Sequence, residues 1–294
     1  MPAGASSVPE LQSAKTGWWF RRWAGHHVAA GITDRQTDCS RMIGSLGVAV
    51  SAVAGEQVHG ASLAVVEGRE EGTRSIPGCD ALLTHLSGVA LLARTADCLP
   101  IFFADPARGV IGIAHAGWRG LAASLPARVV SAFRHVYHTS ADELRVAIGP
   151  AIRACCYEVG PEFVARFGSF VQTRKGRRTC DLIGVARAQL ERCGVRPERV
   201  TESARCTACE RHNPAIGPPP SALLRKAKQK GVGPRECLVG GVGGVSPHAG
   251  RGRTVLSPGF DSQSEASGVG LQWFSLRREG PSTGRMTSLI MMRP

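Results

Sequence analysis

The chain has no apolar run near the roughly 18 residues that a membrane-crossing helix needs, which argues against a helical membrane protein. Its first residues, MPAGASSVPELQSAKTGWWFRRW, lack the unbroken apolar core of a secretory signal, so a reducing, cytoplasmic location is expected. There the 10 cysteines are read as thiols rather than as a disulfide framework. Only one C-x-x-C occurs, Cys206 to Cys209, and without a second pair it is weak ground for structural zinc. The vicinal Cys155 and Cys156 are read as packing residues. The 9 histidines contain no His-x-His pair, which sets aside a four-electron multicopper oxidase. The Gly-rich LVGGVGGVS at residues 238–246 is not followed by the Lys of a phosphate loop, so a nucleotide loop is rejected. Acidic residues are scarce, 23 against 36 Lys and Arg, for a net charge of +13. That balance favours anionic ligands or nucleic acid. Nucleic acid is the weaker reading, because much of the excess is expected in tails and an insert.

What is present is a dense stretch from Val89 to Gly120, VALLARTADCLPIFFADPARGVIGIAHAGWRG. Val89–Arg94, Leu99–Ala104 and Val110–Ala114 are short apolar runs with β-branched or aromatic residues, which predicts strands. Asp105-Pro106-Ala107-Arg108-Gly109 is turn chemistry, so the second and third strands form a hairpin. Its register decides whether Cys98 and His115 meet. A loop over 105–108 sets them directly opposite, with Cβ atoms about 4.5–5.5 Å apart. A loop over 106–109 makes them diagonal neighbours on one face. A five-residue loop puts them on opposite faces. In the first two cases both sit at the open end of the hairpin, within reach of one metal ion.

Four motifs carry a family resemblance: QVHG at residues 57–60, TADCLPIFFAD at 95–105, GVIGIAHAGWRG at 109–120 and GPAIRACCYEVG at 149–160. Together they resemble the polyphenol oxidase/purine nucleoside phosphorylase family, the laccase-domain proteins. The similarity runs from Val28 to Cys209 and resumes at Trp273–Ile290. It implies a zinc ion held by His59, Cys98 and His115. It also implies phosphorolysis of adenosine, inosine, guanosine and methylthioadenosine, together with adenosine deamination. Arg35 aligns with a substrate-side arginine, but Thr37 and Asp38 stand where the family has paired glycines.

The expected fold is α/β (α+β): a mixed sheet with helices packed on it, in one domain. Residues 1–16 read as a disordered tail, 17–209 plus 272–294 as the laccase-like domain, and 210–271 as an insert. Gly and Pro make up about 31% of that insert, a low-complexity composition. Leu121, Leu125, Val129, Phe133 and Val136 predict one amphipathic helix that starts just after His115. Its N-terminus, with Arg119, is a candidate phosphate site. Asp181–Cys193 predicts a second helix.

Two imidazoles and a thiolate leave one zinc position open, the pattern of a catalytic site. Asp97, beside Cys98, is a candidate acid/base or orienting group. Copper is an alternative metal, since divalent copper outcompetes zinc in raw affinity, and a copper-binding polyphenol oxidase is the corresponding alternative function. A metal-independent cysteine hydrolase using Cys98 as nucleophile and His115 as base is another. The expected partners are purine nucleosides and phosphate, with no membrane; oligomeric state is not legible.

Overall fold

A computed structural model describes residues 11–20, 23, 27–48, 50–209 and 272–294. In chain order it contains β1 (Leu11–Ala14), β2 (Gly17–Phe20), β3 (Val28–Ile32), α1 (Cys39–Gly44), β4 (Ser51–Gly55), β5 (Leu63–Val65), β6 (Thr73–Ile76) and β7 (Ala81–Thr84). Then come β8 (Val89–Thr95), β9 (Leu99–Asp105), β10 (Val110–Ala116), α2 (Trp118–Ala122), α3 (Leu125–Tyr137), β11 (Arg145–Ile148) and α4 (Glu162–Phe167). The described residues close with β12 (Val171–Arg174), β13 (Arg177–Cys180), α5 (Leu182–Arg192), β14 (Val200–Glu202), α6 (Leu276–Glu279) and β15 (Met286–Met292).

These strands make two mixed sheets and a small hairpin, rather than a single sheet. One sheet has seven strands in the order β1-β2-β3-β15-β8-β4-β6, and the other six, β14-β11-β9-β10-β7-β5. Strand alternation explains how they stack. On β9, Phe102 and Ala104 face the core shared with Phe20, Leu91 and Ile290 of the seven-stranded sheet. Ile101 and Phe103 on the same strand face a second core with Val129 and Phe133 of α3 and Leu190 of α5. On β8, Leu91 joins the shared core, while Ala90 and Leu92 pack with Met42 of α1. Central strands covered on both faces read as continuous apolar runs, which is how they look in the sequence.

The hairpin at the centre takes the later of the two workable registers. Asp105 pairs with Val110 and Pro100 with His115, so the loop is residues 106–109. The Asp105 carboxylate accepts from the backbone N–H groups of Ala107 (3.1 Å) and Arg108 (3.2 Å), an Asx turn. Gly109 closes the loop at φ +64°, where a side chain would be strained. Cys98 is thus the diagonal neighbour of His115 on the same face.

Two expectations need correcting. Leu11–Ala14, expected within a disordered tail, is a strand paired with Gly17–Phe20. The predicted helix after His115 is two helices, broken at Ser124, which stands at φ +58°. Pro126 sits in the first turn of α3, where its missing N–H does no harm, and so it marks a new start rather than an interior position. The second predicted helix is α5, capped by the Asp181 carboxylate on Gly184 N at 3.0 Å. The insert, residues 210–271, lies outside the described residues, as does the tail before Leu11. No helix among the described residues is long and apolar enough to cross a membrane.

Candidate metal centre

His59, Cys98 and His115 converge from three separate segments. Their ligand atoms all lie within 4.8 Å of one another. His115 is the last-but-one residue of β10 and is buried, 3% exposed. Cys98 precedes β9 and is partly buried, and His59 lies on the solvent side. The two imidazole rings meet edge to face with centroids 4.8 Å apart. This gives a trigonal set of donors closed below by β10 and open towards solvent at His59.

The backbone around the cluster is held in unusual conformations. Gln57 and His59 stand at φ +64° and +60°, and Asp97 at φ +87°. Non-glycine residues in this region cost free energy and persist only where their surroundings impose them. For the QVHG loop the imposing group is Asp80. Its carboxylate accepts from His59 N at 3.0 Å and Gly60 N at 2.7 Å. Asp80 also accepts from His115 Nδ1 at 2.9 Å. An ionised carboxylate only accepts, so Nδ1 carries the hydrogen and Nε2 faces the centre. Sequence reasoning missed Asp80 as a site residue. It stands at the start of an ordinary apolar strand, and nothing in its local pattern separates it from a strand-end polar residue.

Two glycines shape the cradle. A Cβ on Gly117 would lie 3.2 Å from the Cys98 sulfur and 3.3 Å from His59 Cδ2. A Cβ on Gly120 would lie 2.9 Å from the Gly60 carbonyl oxygen. The HAGWRG turn therefore presses α2 against the QVHG loop, and only glycine permits the approach.

Electrostatics favour a charged pair in the metal-free cluster. Burial raises the Cys98 thiol, but hydrogen bonds with His115 and His59 outweigh it and bring its pKa down to about 7. Burial lowers His115, but its bonds to Asp80 and Cys98 outweigh that and lift it to about 9. Asp80 resists the upward push of burial through its bonds to His115 and the loop N–H groups, and its pKa is lowered. The donor set, two imidazoles and one thiolate with a free approach, fits a zinc ion with one open position. Among the described residues no other potential metal cluster contains histidine.

The remaining sequence candidates are placed apart from this donor set. Asp97 uses both carboxylate oxygens: Oδ1 accepts from Thr207 Oγ1 at 2.6 Å and Oδ2 from Arg277 N at 2.7 Å. Arg119 lies 4.7 Å above the Trp118 ring and lines a shallow groove with Ala122, Ala123 and Arg166. Helix α2, which carries it, is only five residues long. Arg35 pairs with Glu279, donates from Nε to the Trp273 carbonyl at 3.3 Å, and covers the Phe274 ring at 4.5 Å. Thr37 and Asp38, standing where the family has glycine, do local work. Thr37 Oγ1 accepts from Asp34 N at 2.9 Å, and Asp38 caps α1 on Arg41 N at 2.8 Å.

Fold and site together define a two-sheet α/β protein with, among the described residues, one cluster of two histidines and a cysteine at the open end of its central hairpin. Residues 24–213 match the family described as multi-copper polyphenol oxidoreductase laccase, and the chain belongs to that family. A purine nucleoside phosphorylase, YlmD, of Geobacillus stearothermophilus is 36% identical over 170 residues, 53% of this chain and 62% of that protein. A purine nucleoside phosphorylase of Deinococcus radiodurans is 37% identical over 187 residues, 58% of this chain and 71% of that one. Adenosine deaminase RL5, from an unknown prokaryotic organism, is 33% identical over 169 residues, 52% of this chain and 64% of that protein. The chain thus spans less than two thirds of the length of YlmD and RL5 in these alignments. The crystal structure of YlmD superposes with a TM-score of 0.68 at 25% identity, covering 98% of this chain and 100% of that one.

Proposed function

We propose that this chain is a zinc-dependent purine nucleoside phosphorylase, acting on adenosine, inosine, guanosine and methylthioadenosine, that also deaminates adenosine. The observation that carries the reading is the convergence of His59, Cys98 and His115 within 4.8 Å, with Asp80 fixing the tautomer of His115. The names of the similar proteins, purine nucleoside phosphorylase and adenosine deaminase, support the substrate class.

A zinc ion held by these three side chains would supply a Lewis acid at its open position, active at neutral pH. The chain's own residues do the rest. Asp80 keeps the proton on His115 Nδ1 and orients the ring. Gly117 keeps the space between Cys98 and His59 clear. Exposed His59 marks the side from which a nucleoside enters. In phosphorolysis a phosphate oxygen bonds to C1′ of the ribose as the bond to the purine nitrogen breaks. Arg119, on the groove beside α2, is the group we assign to phosphate, and Arg35 is a second candidate at the α6 side. In deamination water replaces the amine at C6 and ammonia leaves. Asp97 serves as a positioning residue, since both its oxygens hold the loops next to Cys98.

A second reading has one observation in its favour. A thiol brought to about 7 beside an imidazole raised to about 9 is also how a cysteine hydrolase prepares its nucleophile. Turnover of adenosine by the purified protein, with and without phosphate and with metal content measured alongside, separates the two. Stoichiometric zinc in wild type, its loss in Cys98→Ala, and free purine or inosine from wild type alone support the phosphorylase. Activity that survives complete chelation supports the hydrolase instead.

A further inference from the structure

Four cysteines that belong to no part of the centre above come together beside Thr207, whose hydroxyl donates to Asp97. They are Cys155 and Cys156, in the turn after β11, and Cys206 and Cys209, in the loop after β14. Their sulfur atoms all lie within 4.8 Å of one another, and Cys155 and Cys209 are 3.6 Å apart, sulfur to sulfur.

The backbone brings them there. Ala151 and Cys206 form a parallel bridge, with Thr207 N donating to the Ala151 carbonyl at 3.1 Å. That bridge sets the two loops side by side. The N–H groups of Cys156 and Tyr157 both donate to the Arg153 carbonyl at 2.8 Å, which winds residues 153–157 into a tight turn. On the other loop, Arg278 Nη1 donates to the carbonyls of Thr207 (2.9 Å) and Ala208 (3.0 Å), the two residues between the cysteines. The C-x-x-C turn is therefore shaped by groups other than its sulfurs. The sequence offered one C-x-x-C without a second pair; the fold supplies the pair from the vicinal cysteines 50 residues upstream. A role in core packing does not suit them, because Cys155 is exposed and Cys156 only partly buried.

We propose that Cys155, Cys156, Cys206 and Cys209 form a second, structural metal site that takes a soft divalent ion, zinc above all. Tetrahedral zinc with bonds of about 2.3 Å to four thiolates needs sulfurs about 3.8 Å apart, a contraction of 1 Å or less from the separations seen here. Four protein sulfurs leave no open position, so the site is structural rather than catalytic. The Arg278 guanidinium on the C-x-x-C turn offsets part of the negative charge that four thiolates bring. What the ion would secure is the loop carrying Thr207, whose hydroxyl holds Asp97, the residue before Cys98. The proposal does not depend on the nucleoside chemistry.

The test is metal stoichiometry in the full-length protein, purified in reductant and loaded with zinc. Wild type is expected to hold two zinc ions per chain, Cys98→Ala one, and the double variant Cys206→Ser/Cys209→Ser one. X-ray absorption on zinc-loaded Cys98→Ala, where the four cysteines are intact, is expected to show four sulfur neighbours at about 2.3 Å. If the double variant fails to fold, that spectrum decides alone. A Cys98→Ala protein without zinc, whose four thiols all react with a disulfide reagent, would overturn the proposal. So would a Cys155–Cys209 disulfide found by non-reducing mass spectrometry in protein handled with reductant.

Discussion

The Asp80 carboxylate reaches His115 Nδ1 at 2.9 Å with the same oxygen that accepts from His59 N at 3.0 Å. One side chain thus orients two of the three candidate ligands, one through its ring and one through its backbone. The consequence is that the candidate metal centre is oriented by a residue outside its donor set.

Asp80→Asn is expected to weaken zinc binding by roughly 10- to 100-fold, the usual cost of losing a carboxylate behind a histidine ligand. The amide retains an acceptor oxygen but cannot satisfy the His115 N–H and both loop N–H groups equally. Zinc competition against a chromophoric chelator measures it. Unchanged affinity would show that the carboxylate does not tune the centre.

Gly117→Ala tests the cradle. The backbone at φ −77° accepts alanine without strain, so an effect must come from the methyl meeting Cys98 and His59 at 3.2–3.3 Å. Expected is a fall in zinc affinity of about tenfold, or about 1.4 kcal/mol, with the thermal midpoint of metal-free protein little altered. A variant that binds zinc as wild type does would show that the cluster yields to the methyl.

In the metal-free protein, alkylation of Cys98 should follow a pKa of about 7 rather than the ordinary thiol value of 9.0. The thiolate is the reactive form, so reaction with iodoacetamide should rise through neutral pH and level off above pH 8. Zinc should suppress it. Peptide mass spectrometry across a pH series reads the profile at this cysteine, and a midpoint near 9 would contradict the hydrogen-bond geometry.

Thr207→Val removes the hydroxyl from Asp97 Oδ1 and leaves a buried carboxylate oxygen without that donor. A buried unsatisfied group costs about 1–3 kcal/mol. Chemical denaturation of metal-free protein should show a loss of that size, and an unchanged midpoint would mean another group or water replaces the hydroxyl.

Glu279 couples the Arg35 segment to acid stability. Burial raises its pKa, but bonds with Arg35, Thr283 and Arg278 outweigh it and hold the value at about 2, below the ordinary 4.5. A depressed folded-state value means stability is present above the unfolded pKa and lost as pH falls through the folded one. The loss should therefore run from about pH 4.5 down to pH 2. Glu279→Gln should flatten that part of the melting-temperature profile, and an unaltered acid limb would remove Glu279 as a contributor.

Much of the site was legible before folding because its ligands lie in local motifs. Turn residues 105–109 announce the hairpin, and either four-residue loop puts Cys98 and His115 on one face; the structure selects the loop over 106–109. His59, by contrast, gains meaning only through the family resemblance, since one histidine beside a glycine has no local signature. The break at Ser124 was missed because helical periodicity continues across it, from Leu121 to Leu125, while the backbone does not.

By itself the sequence determined the short apolar strands, the hairpin and its turn, and the place of two candidate ligands, Cys98 and His115, at its open end. Strand alternation and turn chemistry act over a few residues and can be read from them. Tertiary structure alone decided that the strands divide into two stacked sheets, that Asp80 stands behind His115, and that Cys155 and Cys156 meet Cys206 and Cys209. Asp80 and His115 are 35 residues apart, Cys155 and Cys209 54, and Ile32 and Ser288, paired between β3 and β15, 256. Such distances are set by which faces bury against which, and no local pattern encodes that.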